Sequence, residues 1–225
     1  MLENCSQKFF NFLTSLDPQF ELPQGIQFIN PYQDVHVKAV LKQFCDTYYS
    51  KSSKRILILG INPGRFGGGI TGISFTDPIA LESACHIKNS FEKRNELSSK
   101  FIYEMIHRWG GTEKFYKHFL LSAVCPLGFL KGETNYNYYD SPVLLKTCSD
   151  FIKFSLIEHS KMNINKDVVI SLGKRNASIL EAFNSELKVF GKVVYLDHPR
   201  YIMQYKLKSK ADYINAYCSL LNEVI

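Results

Sequence analysis

The sequence predicts an α/β domain of three layers, α/β/α, around a central four-stranded parallel sheet. Four short apolar runs, at 56–59 (ILIL), 119–124 (FLLSAV), 167–172 (DVVISL) and 192–196 (KVVYL), read as strands of that sheet. An unbroken run such as ILIL is the pattern of a strand buried on both faces. Stretches of helical periodicity separate the runs, and strands alternating with helices fold as a parallel sheet covered on both sides. Breakers or turn residues follow the runs: Gly60, Cys125-Pro126, Gly173 and Asp197-His198-Pro199. The 225 residues suit one such domain with a sizeable core, residues 1–24 forming an N-terminal helical extension of it.

Taken in order, residues 2–16 place Phe9, Phe10, Phe12, Leu13 and Leu16 on one helical face and stop before Asp17-Pro18. Residues 25–32 (GIQFINPY) are short, aromatic and broken by Pro31, an extended segment packed against the domain. Residues 35–49 carry Val37, Val40, Leu41, Phe44 and Tyr48 at helical spacing and lead through a polar turn into the first central strand. Residues 77–98, with His86, Lys88, Lys93 and Arg94, read as a mixed polar surface. An amphipathic helix over 99–109 stops at Gly110-Gly111, and a short helical piece at 113–118 feeds the second strand. Residues 131–140 read as a polar and aromatic loop. Ser141-Pro142 opens a helix to about Lys161 with a favoured cap and a first-turn proline. Residues 174–184 form the helix after the third strand. The last helix spans 209–224, with Ser209 and Asp212 placed as a capping box.

Composition narrows the function classes. A hydrophobic fraction of 45% with 21% charged residues is that of a soluble globular protein. A net charge of +6 is a mild bias towards polyanions, short of the dense basic stripe that defines a nucleic-acid binder alone. The 14% aromatic content fills cores by default and also supplies stacking surfaces. Cys5, Cys45, Cys85, Cys125, Cys148 and Cys218 lie far apart, with no CxxC or Cys/His pair at metal-ligand spacing. They read as reduced thiols of a cytoplasmic protein with no metal and no iron–sulfur cluster. No secretory signal is legible, and no apolar run approaches the ~20 residues of a membrane span.

The stretch that organises the chain is 55–78, RILILGINPGRFGGGITGISFTDP. Seven of the eighteen residues after Gly60 are Gly or Pro, far more than a tight strand-to-helix turn needs. In open α/β sheets ligands bind outside the carboxyl ends of the strands, where this loop sits. It is not a phosphate cradle: no Lys-Ser/Thr follows the glycines, and G-x-G-x-x-G is absent. The loop resembles motif 1 of the uracil-DNA glycosylase superfamily, in the version of its single-strand-selective monofunctional type, G-M-N-P-G-x-F-G…T-G-x-x-F. Gly60, Asn62, Pro63, Gly64, Phe66, Gly67, Thr71, Gly72 and Phe75 fall on that pattern, and Cys125-Pro126-Leu127 with Phe129-Leu130 match a second segment. The resemblance runs from about Gly25 to the C-terminus.

The resemblance implies hydrolysis of the N-glycosidic bond of a damaged deoxynucleotide flipped out of the stack, with no cofactor. It assigns catalysis to Asn62, which would hold the attacking water, and to His198, which would stabilise the departing base anion. A histidine before proline is, taken alone, more often a turn residue. No lysine is placed as a Schiff-base nucleophile, so strand cleavage is not expected. Gly60, Ile61, Gly64, Phe66, Gly68, Phe75, Ala123 and Pro126 fall at substrate-binding positions, Phe75 as the platform under the base. Pro199, Arg200, Tyr201 and Lys206 fall in or beside the family's wedge loop, where they would meet DNA, with Ile202 a further wedge candidate. The implied partner is DNA, and the protein a monomer, nucleoid-associated in a bacterium.

The chain departs from the pattern in the second strand. The relatives read V-H-N-L-C-P-L there, with the Asn pairing to the base; Ala123 takes its place and Ser122 that of the neighbouring His. Asn135 or Asn137 could reach in from the next loop. Two rival readings follow: a binding protein on the same fold that recognises an unpaired base without cleaving it, and a small-molecule α/β hydrolase. Asn62 and His198 argue against the first, since binding needs neither group, and the second lacks a nucleophile elbow.

Overall fold

The computed structural model describes residues 4–225, which form seven strands: β1 (Ile26–Ile29), β2 (Arg55–Gly60), β3 (Phe119–Ala123), β4 (Gly128–Lys131), β5 (Thr134–Tyr136), β6 (Ile164–Leu172) and β7 (Lys192–Leu196). The central sheet runs β3-β2-β6-β7, parallel throughout, and is the four-stranded sheet expected from the apolar runs. Ile58 of β2 lies between Leu121 and Ile170, so the central pair is sealed by aliphatic side chains on both sides. Helices flank the sheet and make the outer layers of the α/β/α fold. Their ends follow their capping chemistry. Asp34 opens Val35–Tyr49 by accepting from His36 and Val37, and Ser141 opens Pro142–Ser160 by accepting from Leu144.

β2 is buried along its whole length, including Arg55. Its guanidinium donates to the carbonyls of Tyr48, Lys51, Ser53 and Tyr116. Two of these, at the end of the preceding helix and just after it, favour a cation, which is how a charge survives in the core.

Four expectations are corrected. Residues 131–140 are no simple loop: β4 and β5 form a hairpin that joins β1 in a separate antiparallel sheet. The turn residues Gly132 (φ 58°) and Glu133 are a Gly-X hairpin signal. Residues 199–204 are a helix, Pro199–Tyr205, and not a loop, because His198 caps it and proline suits its first turn. Residues 77–98 include the helix Pro78–Ser83, capped by Asp77. The capping box at Ser209 does not form; a 3₁₀ turn, Leu207–Ser209, leads into Lys210–Val224. The first helix is Cys5–Thr14, and residues 2 and 3 of its expected span lie outside the described residues.

His159 sits fully buried against Phe12, edge-on at 5.0 Å. Its Nδ1 lies 2.7 Å from the Ser155 carbonyl, which only accepts, so Nδ1 carries the proton. Nε2 then accepts from Ser122 Oγ at 2.7 Å. Both ring nitrogens are satisfied in the neutral form, and burial holds its pKa down to about 4. The unfolded chain therefore binds this proton first. Stability is fully present above the unfolded value near 6.5 and is lost as pH falls towards 4, by about 3 kcal/mol for this residue. Urea unfolding at pH 7.5 and 4.5 should show a fall that His159→Gln reduces; an equal fall in both proteins would remove His159 as its source.

Candidate active site

The carboxyl ends of β2, β3 and β7 open onto a cleft of about 310 Å³. Asn62 reaches it from two residues beyond β2, Ala123 from the last residue of β3, and His198 from two residues beyond β7. Parallel strands thus bring together residues far apart in sequence, as the sequence reading required.

The geometry of the glycine-rich loop depends on missing side chains. A Cβ on Gly60 would lie 2.5 Å from Phe75 Cζ, so the Phe75 ring can lie against the strand end only because position 60 is glycine. Phe75 itself has φ 57°, unusual for an aromatic residue. Thr71 holds that bend from below: its hydroxyl donates to the Thr76 carbonyl at 2.6 Å and accepts from the Ile73 N–H at 3.1 Å. The half-buried Phe75 ring faces the cleft beside His198, with centroids 5.8 Å apart.

Asn62 is oriented by the end of β5 and the residues just after it. Its Nδ2 donates to the carbonyls of Tyr136 at 3.3 Å and Pro63 at 3.4 Å, while Oδ1 accepts from the Tyr138 N–H at 3.1 Å. Flipping the amide would set like groups against each other at every contact, so its orientation is fixed. Both donors are used, and one acceptor position of Oδ1 is left. A buried brace supports this arrangement. The Tyr138 hydroxyl donates to Asn176 Oδ1 at 2.8 Å, and Asn176 Nδ2 donates to the Gly60 carbonyl at 3.1 Å and to Ser171 Oγ at 3.0 Å.

His198 is half-buried at the start of the helix Pro199–Tyr205, and its Nδ1 accepts from the Arg200 N–H at 3.1 Å. That bond requires the tautomer with the proton on Nε2, so the ring offers a donor. Burial first, then the Arg200 charge, lower its pKa to about 4, and the ring is neutral at ordinary pH. The preceding residue is pinned by the Tyr217 hydroxyl, which donates to the Asp197 carbonyl.

Of the other expected positions, Gly60, Ile61, Gly64, Gly68, Ala123, Arg200 and Tyr201 line the cleft. Phe66 does not; it borders an adjoining groove, with the Arg65 and Arg94 guanidiniums 4.5 and 5.8 Å from its ring centre. Pro126 is buried away from the cleft, and Pro199 is buried as the first residue of its helix. Ile202 faces the core with no exposed surface and cannot serve as a wedge. Lys206 is exposed at the end of that helix. The expectation missed Glu96, Tyr138, Tyr139 and Asn176. A Gly-X turn between two strand-like runs could have revealed the hairpin that leads to Tyr138 and Tyr139; no local pattern marks Glu96 or Asn176. Among the described residues no group of His, Cys, Asp or Glu is placed to hold a metal ion, and the cysteines are free thiols.

The fold matches a known class of enzyme. The model of the uracil DNA glycosylase superfamily matches residues 47–222, and the chain belongs to that superfamily. It is a DNA glycosylase, a hydrolase of N-glycosyl bonds. Among solved structures it is similar to wild-type SMUG2 from Pedobacter heparinus, with a TM-score of 0.96 and 41% sequence identity over 99% of each chain.

Proposed function

We propose that the protein is a monofunctional glycosylase that releases uracil or related deaminated bases from DNA. The observation that carries this reading is the pairing, in one cleft, of a fixed amide acceptor on Asn62 with a neutral imidazole donor on His198. Breaking the N-glycosidic bond places positive charge on the sugar and negative charge on the base. The free acceptor position of Asn62 Oδ1 holds the attacking water, by positioning and not by proton abstraction, since an amide is not a base near neutral pH. The His198 Nε2–H bonds to the oxygen on which the base anion develops. Phe75 stacks on the flipped base, a contact worth roughly 1–3 kcal/mol. Arg200 and Tyr201, exposed on the cleft rim, contact the strand and the gap left by the flipped base, and Lys206 meets a phosphate.

The test is incubation with oligonucleotides that each carry one uracil, hypoxanthine, xanthine or 5-hydroxymethyluracil, followed by alkaline cleavage at abasic sites. Release of at least one base is expected. Intact strands with all four would sink the reading.

Ala123 bears on selectivity. It lines the cleft and has no hydrogen-bonding group, so a mismatched base leaves no buried partner unpaired on that wall. The wild type should therefore favour uracil only weakly over the bulkier deaminated purines. Ala123→Asn should raise the uracil-to-purine rate ratio by about five- to tenfold, the effect of one added hydrogen bond. An unchanged ratio in single-turnover assays would show that another residue reads the base.

A further inference from the structure

Across the cleft, two polar groups have no role in the steps above and no hydrogen-bond partner among the described residues. One is the amide nitrogen of Asn135, on β5. Its Oδ1 accepts from the Arg65 N–H at 3.0 Å, which fixes the side chain and leaves Nδ2 as the free end. The other is the Glu96 carboxyl. Its backbone is held in place by the buried Asp77, whose Oδ2 accepts the Glu96 N–H at 2.9 Å. Both free ends converge on Gly64 in the cleft wall. A Cβ there would lie 2.7 Å from Glu96 Oε1 and 3.5 Å from Asn135 Nδ2. Both residues are half-buried, and their free ends are open to a ligand in the cleft.

We propose that the Glu96 carboxyl and the Asn135 amide form a two-donor wall that recognises the carbonyl edge of the flipped base and separates deaminated bases from their amino-bearing parents. This rests on the glycosylase reading and names how its site selects its substrate. Deamination puts a carbonyl oxygen in place of an amino group and a proton on the neighbouring ring nitrogen, and the wall reads the first of these changes. Uracil carries O4 where cytosine has its N4 amino group, and hypoxanthine carries O6 where adenine has its N6 amino group. Two donors accept the carbonyl and reject the amino group by opposing N–H to N–H. The same donors suit a base leaving as an anion, which a carboxylate would oppose.

The surroundings favour the acid. Desolvation, then the Asp77 charge, push the Glu96 carboxyl up to about 7, against a smaller downward pull from Arg200. The charged groups around it are Asp77 at the start of Pro78–Ser83, Arg200 on Pro199–Tyr205 and Arg65 on the glycine-rich loop, which shares a groove with Glu96. Above neutrality Glu96 becomes an acceptor, and the wall loses its preference.

The experiment uses binding, so it needs no turnover. Single strands carrying one 2′-fluoro-2′-deoxyuridine or one 2′-fluoro-2′-deoxycytidine keep their base, because fluorine opposes the positive charge that cleavage places on the sugar. Fluorescence anisotropy gives the ratio of the two affinities from pH 6 to 8. In the wild type the uridine preference should fall by about tenfold across that range, as one proton leaves. Glu96→Gln should give a ratio that does not change with pH. Asn135→Asp keeps the bond to Arg65 but removes the donor, and should lower the ratio at pH 6 by tenfold or more. A wild-type ratio that is flat with pH, or a Glu96→Gln variant that titrates like the wild type, would overturn the proposal. Failure to release any base in the lesion assay would strike the glycosylase reading instead, and the two results are scored separately.

Discussion

Asn62→Ala is expected to lower single-turnover base release by about three orders of magnitude while strand affinity changes less than twofold. Positioning a reactant is worth that much when the bound geometry is near that of attack, and misplacing it by an ångström loses about a hundredfold. The affinity survives because the Asn62 donors and one of its acceptor positions are spent inside the protein, on Pro63, Tyr136 and Tyr138, and none on the strand. The same contacts explain why an acid is a poor replacement. Asn62→Asp would set a carboxylate oxygen against the Tyr136 carbonyl at about the present 3.3 Å, two acceptors with no proton between them. The side chain would turn away or take up a proton, and either change removes the aimed acceptor. Near-wild-type release from Asn62→Ala in a burst assay would take this residue out of the mechanism.

That frame also shows which parts of the molecule can be read from sequence. The central sheet was legible because each strand is short, apolar and ended by a breaker, a local signal that tertiary context does not override. Gly60, Thr71 and Phe75 were legible as a pattern, and their contacts give the pattern its cause: a missing Cβ, a hydroxyl staple and a ring fitted to the space between them. The second sheet was not read, although the signal was present. Residues 128–136 hold only four and three strand residues around a two-residue turn, and their polar and aromatic content resembles a loop.

The site was legible where it is built from strand ends and obscure where it is built from partners. His198 was placed correctly at the end of its strand, but a turn and a helix cap look alike in sequence, so the helix Pro199–Tyr205 and the burial of Pro199 and Ile202 were missed. Asn176 and Tyr138 act across 38 residues of chain, and nothing near either one predicts the bond between them. Glu96 has the appearance of one more surface acid in a polar stretch. Only the fold reveals that it lies against Gly64 and Gly67, in the wall of the cleft.

His198→Ala should lower the chemical step by about two to three orders of magnitude, the usual cost of losing one donor aimed at developing negative charge. The histidine also accepts from the Arg200 N–H as a helix cap, and losing a cap costs about 1 kcal/mol of stability. The two effects separate cleanly: the cap appears in the thermal midpoint, the donor in single-turnover rates at saturating enzyme. The pH dependence gives a second check. With a pKa of about 4 the ring is already neutral and its Nε2–H already in place throughout the neutral range. Protonation adds a proton at Nδ1, breaks the bond to Arg200 and disturbs the helix start, so loss of activity through His198 belongs near pH 4. An ordinary histidine would give that loss near pH 6.5. A rate on uracil that holds from pH 6.5 down to 5 agrees with a neutral donor. A tenfold fall over that interval, absent in His198→Ala, would mean that the ring titrates normally and works in some other protonation state.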